Sequence, residues 1–210
     1  MYHLKGNMTL AHDEIPDSYA DLVGLFMPRP LHDEVDYRNA LAVLDAMARP
    51  GQVHRVTGVE PPAPLCAAAG AVLLTLVDHE TRLWLEPDAD AARDWIAFHC
   101  GAPFSDPSRA VFALALSLPD LTALPAGTHE MPETAATVIL QVASLTSGRR
   151  YRLTGPGLRT AAILAVDGLP ADFAARWRDN HALFPRGIDL ILCAGDRLAA
   201  LPRSVTIEEA

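Results

Sequence analysis

Two short runs of branched apolar residues constrain the fold of this chain more than any other feature. Residues 137–142 read TVILQV and residues 188–193 read IDLILC. Segments of this length that are so rich in Val, Ile and Leu are typical of buried strands. We therefore predict that the two runs are neighbouring or nearby central strands of one sheet.

Helical patterns alternate with strand patterns along the rest of the chain. Apolar spacing and end signals predict helices at 36–48, 65–77, 88–99 and 170–183. In the first helix Leu41, Leu44 and Met47 recur at helical spacing, and Pro64 opens the second at a first-turn position. Phe173 and Trp177 lie on one face of the last helix, and Asp88 or Asp90 caps the third.

Further strands and turns complete the prediction. Strands are expected at 82–85 and 111–116, with a short helical turn at 119–124. A strand at 150–154 is expected to pair with 137–142 across Ser147-Gly148, and 198–201 with 188–193 across 194–197. Helices between strands, with two late hairpins, indicate an α/β domain with a mixed sheet.

The chain length of 210 residues favours one large domain, which we place at 33–210. Residues 1–32 contain scattered Pro and acidic residues and one short amphipathic piece, Tyr19 to Phe26. They are expected to form a partly ordered N-terminal extension.

Composition narrows the possible partners and the compartment. Half of the residues are hydrophobic and only 20% are charged, which favours a buried subunit interface. The formal charge of −9 disfavours general nucleic-acid binding. The three cysteines form no disulfide framework, no signal peptide is visible and no stretch can span a bilayer, so a cytoplasmic location is predicted.

The motifs of several enzyme classes are absent from the sequence. There is no Walker loop, no Gly-x-Gly-x-x-Gly after a strand, no Gly-x-Ser-x-Gly elbow and no zincin motif. Three scattered cysteines are too few for an iron–sulfur cluster, and no metal site is predicted. The only lysine is Lys5, so a lysine-dependent mechanism in the core of the domain is excluded.

A few polar residues remain as candidates for ligand binding. Arg149, Arg150 and Arg152 flank the predicted hairpin turn and suit phosphate oxygens, or they are simply solvated. Arg186 and Asp189 bracket Gly187, either as a buried structural ion pair, which we favour, or as a ligand anchor.

Other candidates have simpler structural explanations. His99 either caps its helix or acts as an acid, a base or a ligand contact. The segment 155–157 reads GPG and predicts a tight loop, with anion binding as the less favoured alternative. Each of the three cysteines is expected to be a small core residue rather than a nucleophile.

An ordered series of segments lies between residues 36 and 207: 46–51 (AMARPG), 73–78 (LLTLVD), 80–81 (ET), 84–85 (WL), 98–99 (FH), 101–103 (GAP), 127–128 (GT), 132–133 (PE), 136–145, 153–157 (LTGPG), 184–192 (FPRGIDLIL) and 201–204 (LPRS). This series resembles the PhnH family. The resemblance implies a three-layer α/β/α fold with a mixed sheet, similar to a reduced pyridoxal-phosphate (PLP)-dependent transferase.

The resemblance also implies a role. Members of the family belong to the carbon–phosphorus lyase core complex with three other subunit types, and they form homodimers when isolated. With accessory proteins, that complex makes a ribose 1-alkylphosphonate 5-triphosphate from ATP and an alkylphosphonate. We expect a subunit without its own complete active site and without a cofactor. The alternatives are a subunit that binds a phosphorylated ligand and an unrelated small-molecule enzyme with a shared fold.

Overall fold

The computed structural model describes residues 34–210, and the predicted extension at 1–32 lies outside the described residues. The helices are α1 (Glu34–Ala48), α2 (Ala67–Leu76), α3 (Arg93–Cys100) and α4 (Phe173–His181). The strands are β1 (His54–Arg55), β2 (Leu83–Leu85), β3 (Phe112–Ala115), β4 (Thr137–Gln141), β5 (Ser144–Thr154), β6 (Ala162–Asp167), β7 (Asp189–Ala194), β8 (Arg197–Leu201) and β9 (Thr206–Glu209).

The main sheet contains six strands in the order β1-β8-β7-β4-β3-β2. Strands β2, β3, β4 and β7 are parallel, whereas β8 and β1 are added antiparallel, so the predicted mixed sheet is confirmed. The two apolar runs are adjacent central strands, with Ile139 opposite Ile191. The hairpin between β7 and β8 is confirmed as well.

Each face of this sheet is covered by its own apolar core. Ile139 and Ile191 face a core that α1, α2 and α3 complete. The alternate residues Val138, Leu140, Leu190 and Leu192 face a second core. Burial on both faces explains why β4 and β7 read as apolar runs rather than as an alternating pattern.

A second sheet, in the order β6-β5-β9, covers the other face together with α4. The predicted pairing of 150–154 with 137–142 is therefore wrong. Both edges of β4 are already occupied by β3 and β7, so β5 pairs with β6 and β9 instead. Ser147-Gly148 is not a turn but lies where the register between β5 and β6 shifts.

Helix α1 buries a different face from the predicted one. Asn39, Val43 and Ala46 are buried, whereas Leu41 and Leu44 are 44% and 65% exposed. The amide group of Asn39 donates to the carbonyl of Thr57 and accepts from its N–H, at 3.0 and 3.2 Å. This pair of hydrogen bonds fixes the inward face of the helix.

The ends of the other helices also differ from the predictions. Helix α2 begins at Ala67, so Pro64 precedes the helix instead of opening its first turn. A 3-10 helix, Pro87–Ala92, precedes α3, and neither Asp88 nor Asp90 caps α3 with its side chain. In α4 Phe173 and Trp177 are fully buried, as predicted. Within the described part of the chain, no helix is both long and apolar enough to cross a membrane.

Candidate functional site

Asp189 lies at the first position of β7 and is bound by Arg203, not by Arg186. The Arg203 Nε atom lies 3.1 Å from each carboxylate oxygen, and its Nη2 atom lies 2.5 Å from Oδ2. The backbone N–H of Arg203 donates to Oδ1 at 2.7 Å, and its Nη1 donates to the carbonyl of Pro132 at 2.7 Å. The carboxylate, 8% exposed as a residue, is thus fully paired.

The predicted ion pair between Arg186 and Asp189 is therefore wrong. Gly187, at φ +115°, separates the two residues and turns the chain before β7 begins. Strand β8 returns antiparallel with Leu201 opposite Leu190, which brings Arg203 beside Asp189. A residue 14 positions away consequently reaches the carboxylate when one three positions away does not.

The side chain of Arg186 has no hydrogen-bond or ion-pair partner among the described residues. Its Nε atom is buried without a hydrogen bond, and no carboxylate lies within 4.0 Å of its guanidinium in the described part of the chain. A buried donor of a charged group that remains unsatisfied is costly for a folded protein. The described part of the fold therefore supplies no counterion for this side chain.

The turn that carries Arg186 is held rigidly. The side-chain amide of Asn180 accepts from the N–H of Ile188 at 2.7 Å and donates to its carbonyl at 2.9 Å. The N–H of Gly187 donates to the carbonyl of Ala126 at 2.9 Å. A Cβ atom at Gly187 would come within 2.9 Å of the Asn180 carbonyl, so this position requires glycine.

Exposed apolar side chains lie on this turn and on the loop that begins at Ala126, to which Gly187 is hydrogen-bonded. Leu183 and Phe184 are 36% and 56% exposed, and the ring of Phe184 stacks on His181. Met131, which is also exposed, lies next to Pro132 on the adjoining loop. We call Leu183, Phe184, Arg186 and Met131 the Phe184 patch.

His99 is exposed near the end of α3, where its ring contacts two aromatic rings. The ring centroids of Trp95 and Phe98 lie 4.7 and 4.9 Å from it. The helix ends in Gly101, a left-handed residue whose N–H donates to the carbonyl of Ala97. This backbone hydrogen bond caps the carboxyl end of the helix.

The arginines of β5 differ from one another in their surroundings. Arg149 is paired with Glu209 at 2.7 Å and donates to the carbonyl of Ala171 at 2.9 Å. Arg150 and Arg152 are exposed on the other side of the strand from the buried Tyr151. They lie within a long strand, not at the end of a hairpin.

The structure does not bring the predicted site residues together. Helix α3, with His99, packs on one face of the six-stranded sheet, whereas β5, with Arg150 and Arg152, covers the other. Arg186 and Asp189 are close in sequence but have separate environments. His99 and the pair Arg150 and Arg152 therefore belong to elements on opposite faces of the six-stranded sheet.

A groove lies elsewhere, and it contains none of the predicted residues. It has a volume of about 410 Å³ and is lined by Ser117, Leu118, Asp167, Gly168, Leu169, Pro170 and Arg176. Arg176 is paired there with Asp172 at 2.8 Å. The groove adjoins the carboxyl end of β3, which is the side of an open α/β sheet where ligands usually bind.

The thiols are poor nucleophiles in this setting. Burial raises the pKa of Cys66, raises that of Cys100 to about 11 with a smaller contribution from Asp78, and raises that of Cys193 well above the usual thiol range. The fraction of thiolate, the reactive form, is therefore small at neutral pH. In the described residues, no group of three or more His, Cys, Asp or Glu is placed to hold a metal ion.

Three structurally important residues were missed in the sequence. Arg203 holds Asp189, Asn180 holds the turn before β7, and Gln141 accepts from the N–H of Cys66 and donates to the carbonyl of Pro64. The sequence did indicate that such partners exist, because an Asp or Gln in an otherwise apolar strand must be hydrogen-bonded or paired. The identity of that partner depends on the tertiary structure.

These features indicate the class of proteins that bind another molecule through their surface. A rigid mixed α/β scaffold presents one unpaired guanidinium among exposed apolar side chains, which is typical of a surface that binds another molecule. The family model described as "Bacterial phosphonate metabolism protein (PhnH)" matches residues 33–208. The chain belongs to the PhnH family.

Two curated proteins are similar to this chain. It is 40% identical over 174 residues to the alpha-D-ribose 1-methylphosphonate 5-triphosphate synthase subunit PhnH of Rhizobium meliloti (strain 1021), covering 80% of this chain and 87% of that protein. It is also 40% identical over 81 residues to the putative C-P lyase subunit protein HtxG of Stutzerimonas stutzeri, covering 39% of this chain and 42% of the relative.

Proposed function

We propose that this protein is a subunit of the carbon–phosphorus lyase assembly. In that role it would support synthesis of a ribose 1-alkylphosphonate 5-triphosphate from ATP and an alkylphosphonate. The observation that carries the proposal is the match to the PhnH family over residues 33–208. The R. meliloti relative, which aligns over 87% of its own length, is named as a subunit of the corresponding methylphosphonate synthase.

Within the assembly we assign this subunit to assembly or ligand binding rather than to a complete active site. The candidate residues His99, Arg150, Arg152, Arg186 and Asp189 are dispersed, and burial raises the pKa of each thiol. Because Asp189 is already paired with Arg203, we assign it a structural role in the first place. Other subunits of the complex are the expected partners, and the isolated protein is expected to be a cytoplasmic homodimer.

We also propose that the fold is of the reduced PLP-transferase type. A reduced PLP-transferase-like architecture is supported by the parallel strands β2, β3, β4 and β7 with helices on one face. The other face departs from the expected α/β/α layering, since β5, β6 and β9 cover it together with a single helix.

A second candidate function is non-covalent binding of a phosphorylated ligand. The unpaired guanidinium of Arg186 favours it, because a guanidinium binds phosphate oxygens in a bidentate way. Exposed Arg150 and Arg152 are a separate candidate contact for such a ligand, and His99 a third. Titration of the purified protein with ATP or tripolyphosphate, followed by calorimetry, distinguishes this function from assembly alone.

The main test is genetic and biochemical. In a bacterium that lacks its own copy of this subunit, the protein is expected to restore growth on methylphosphonate as the sole phosphorus source. Co-expressed with the other three subunit types, a tagged copy is expected to retain them during purification. Failure of both experiments would overturn the proposed function.

A further inference from the structure

We propose that the Phe184 patch is the docking surface for a different subunit of the assembly, which inserts a carboxylate against Arg186. This inference rests on the proposed function and specifies which surface of the protein performs it. Its starting point is the buried Nε atom of Arg186, which has no hydrogen-bond acceptor among the described residues.

The missing counterion is not available from the neighbourhood of Arg186. The nearest carboxylate in the sequence, Asp189, accepts four hydrogen bonds from Arg203 and is buried beneath the turn. No carboxylate of residues 34–210, Asp189 included, lies within 4.0 Å of the Arg186 guanidinium. Residues 34–210 therefore supply no counterion for this guanidinium, and a carboxylate of another molecule fits its planar fork in a bidentate way.

The side chains around Arg186 indicate a protein partner. Phe184 and Met131 are each more than half exposed, and Leu183 is exposed on the same turn. Aromatic residues, Met and Arg are the residue types enriched where proteins meet, and Arg and aromatic side chains account for much of the binding energy there. A free phosphate group would satisfy Arg186 but would leave the apolar side chains in water.

The surface is already arranged for binding before any partner arrives. Asn180 bonds both backbone groups of Ile188, and the N–H of Gly187 is bonded to the loop that leads to Met131. The ring of Phe184 rests on His181, whose Nδ1 lies 2.8 Å from the Arg203 carbonyl. A rigid surface loses little conformational entropy when it binds, so such a patch is well suited to a stable contact.

A different subunit fits this patch better than a second copy of the chain. In a twofold dimer whose axis passes through the patch, the same patch meets itself. The four side chains of the patch include one positive charge and no carboxylate, so two copies would bring two unpaired guanidinium groups together. A partner with an acidic residue beside an apolar one matches both features of the patch.

The test uses the full chain co-expressed with the three other subunit types of the assembly. The variants are Arg186→Glu, which reverses the charge, and Phe184→Ser, which removes the exposed ring. The control is Arg82→Glu, an exposed arginine that precedes β2, three strands away from β7. Retention of the co-expressed subunits on the tagged protein is measured together with the melting temperature of each free variant.

We expect both patch variants to weaken retention at least about tenfold, the loss typical of a binding hot spot. The Arg82→Glu variant should retain the subunits as the wild type does. All three variants should melt within about 2–4 °C of the wild type, which corresponds to a change of about 1 kcal/mol for a chain of this size.

Three results would overturn the inference. If the wild type and both patch variants retain the subunits equally, the patch is not the docking surface, although the proposed function stands. If the patch variants lose only self-association in ultracentrifugation, the occupant is a second copy. If the wild type retains no subunit at all, this inference fails, and the proposed function fails with it only if the growth test on methylphosphonate fails too.

Discussion

Asp189 and Arg203 form a bidentate ion pair that joins the start of β7 to the connection between β8 and β9. Arg203 also donates to the carbonyl of Pro132, so the pair holds the loop before β4 in place as well. The two side chains are 12% and 15% exposed, and therefore little water screens their interaction. A buried pair of this kind makes each member strongly dependent on the other.

We predict that Asp189→Ala destabilises the fold by about 3–5 kcal/mol, because it leaves the guanidinium of Arg203 buried without its counterion. Urea unfolding of the purified variant measures this change in the free energy of unfolding. Arg186→Gln is the matched control, since it removes an arginine of the same segment whose side chain has no partner among the described residues, and it should not destabilise the fold. If Asp189→Ala keeps full stability but abolishes growth on methylphosphonate, Asp189 binds a ligand instead.

We predict that Ile139→Ala and Ile191→Ala each cost about 2–5 kcal/mol, the usual range for a large-to-small change in a core. These residues are Cα partners on adjacent central strands, and both are buried. Ile163→Ala is the control, because Ile163 is 45% exposed on β6. A loss below about 0.5 kcal/mol at either core position, typical of surface sites, would show that the strands are peripheral.

The central strands could be predicted because their evidence is local. The segments 137–142 and 188–193 are apolar whichever neighbour they pair with, and the turn at 194–197 connects β7 directly to β8. Pairing between distant segments is different. The segment 150–154 reads as a strand, but nothing in its residues shows that both edges of β4 are already occupied.

In the candidate site, the partner of a side chain likewise could not be predicted when that partner is distant in the sequence. The sequence indicated that Asp189 needs a partner, and Arg186 was the nearest cation in the sequence. Arg203 is nearer in space because the β7–β8 hairpin folds it back. In α1 the helical spacing of Leu41, Leu44 and Met47 indicated an apolar face. Leu41 and Leu44 are exposed, however, because hydrogen bonds between Asn39 and Thr57 direct another face of the helix inward.

We predict that the buried thiols are protected from alkylation at pH 8. Burial raises the pKa of Cys100 to about 11 and that of Cys193 further above the usual range. Iodoacetamide should therefore label these thiols far more slowly in the native protein than in urea, as mass spectrometry of digests can measure. Rapid stoichiometric labelling of native Cys100 would contradict this prediction.

The raised pKa of Cys100 also predicts how stability changes with pH. An unfolded thiol ionises near its ordinary pKa of about 8.5. Below that pH the thiol is protonated in both states and has no effect on the pH dependence. As the pH rises from there towards about 11, the unfolded state loses its proton first, so stability falls. Cys100→Ala should make this alkaline decline less steep in urea-unfolding measurements.

We predict that this protein does not use PLP as a cofactor, although the family resemblance implies a transferase-like fold. Enzymes of that kind hold PLP as a Schiff base on a lysine amine. The only lysine of the chain is Lys5, which precedes every segment that resembles the family. Arginine cannot replace it, because the guanidinium stays protonated and is not a competent amine nucleophile at neutral pH. The fold would then serve a different purpose, such as assembly or non-covalent binding.

The test is to add PLP to the wild type and to Lys5→Arg, reduce with borohydride, and map the peptides. Adducts at Lys5 or the N-terminal amine alone agree with the prediction, whereas a stoichiometric adduct within residues 36–207 of either protein would refute it.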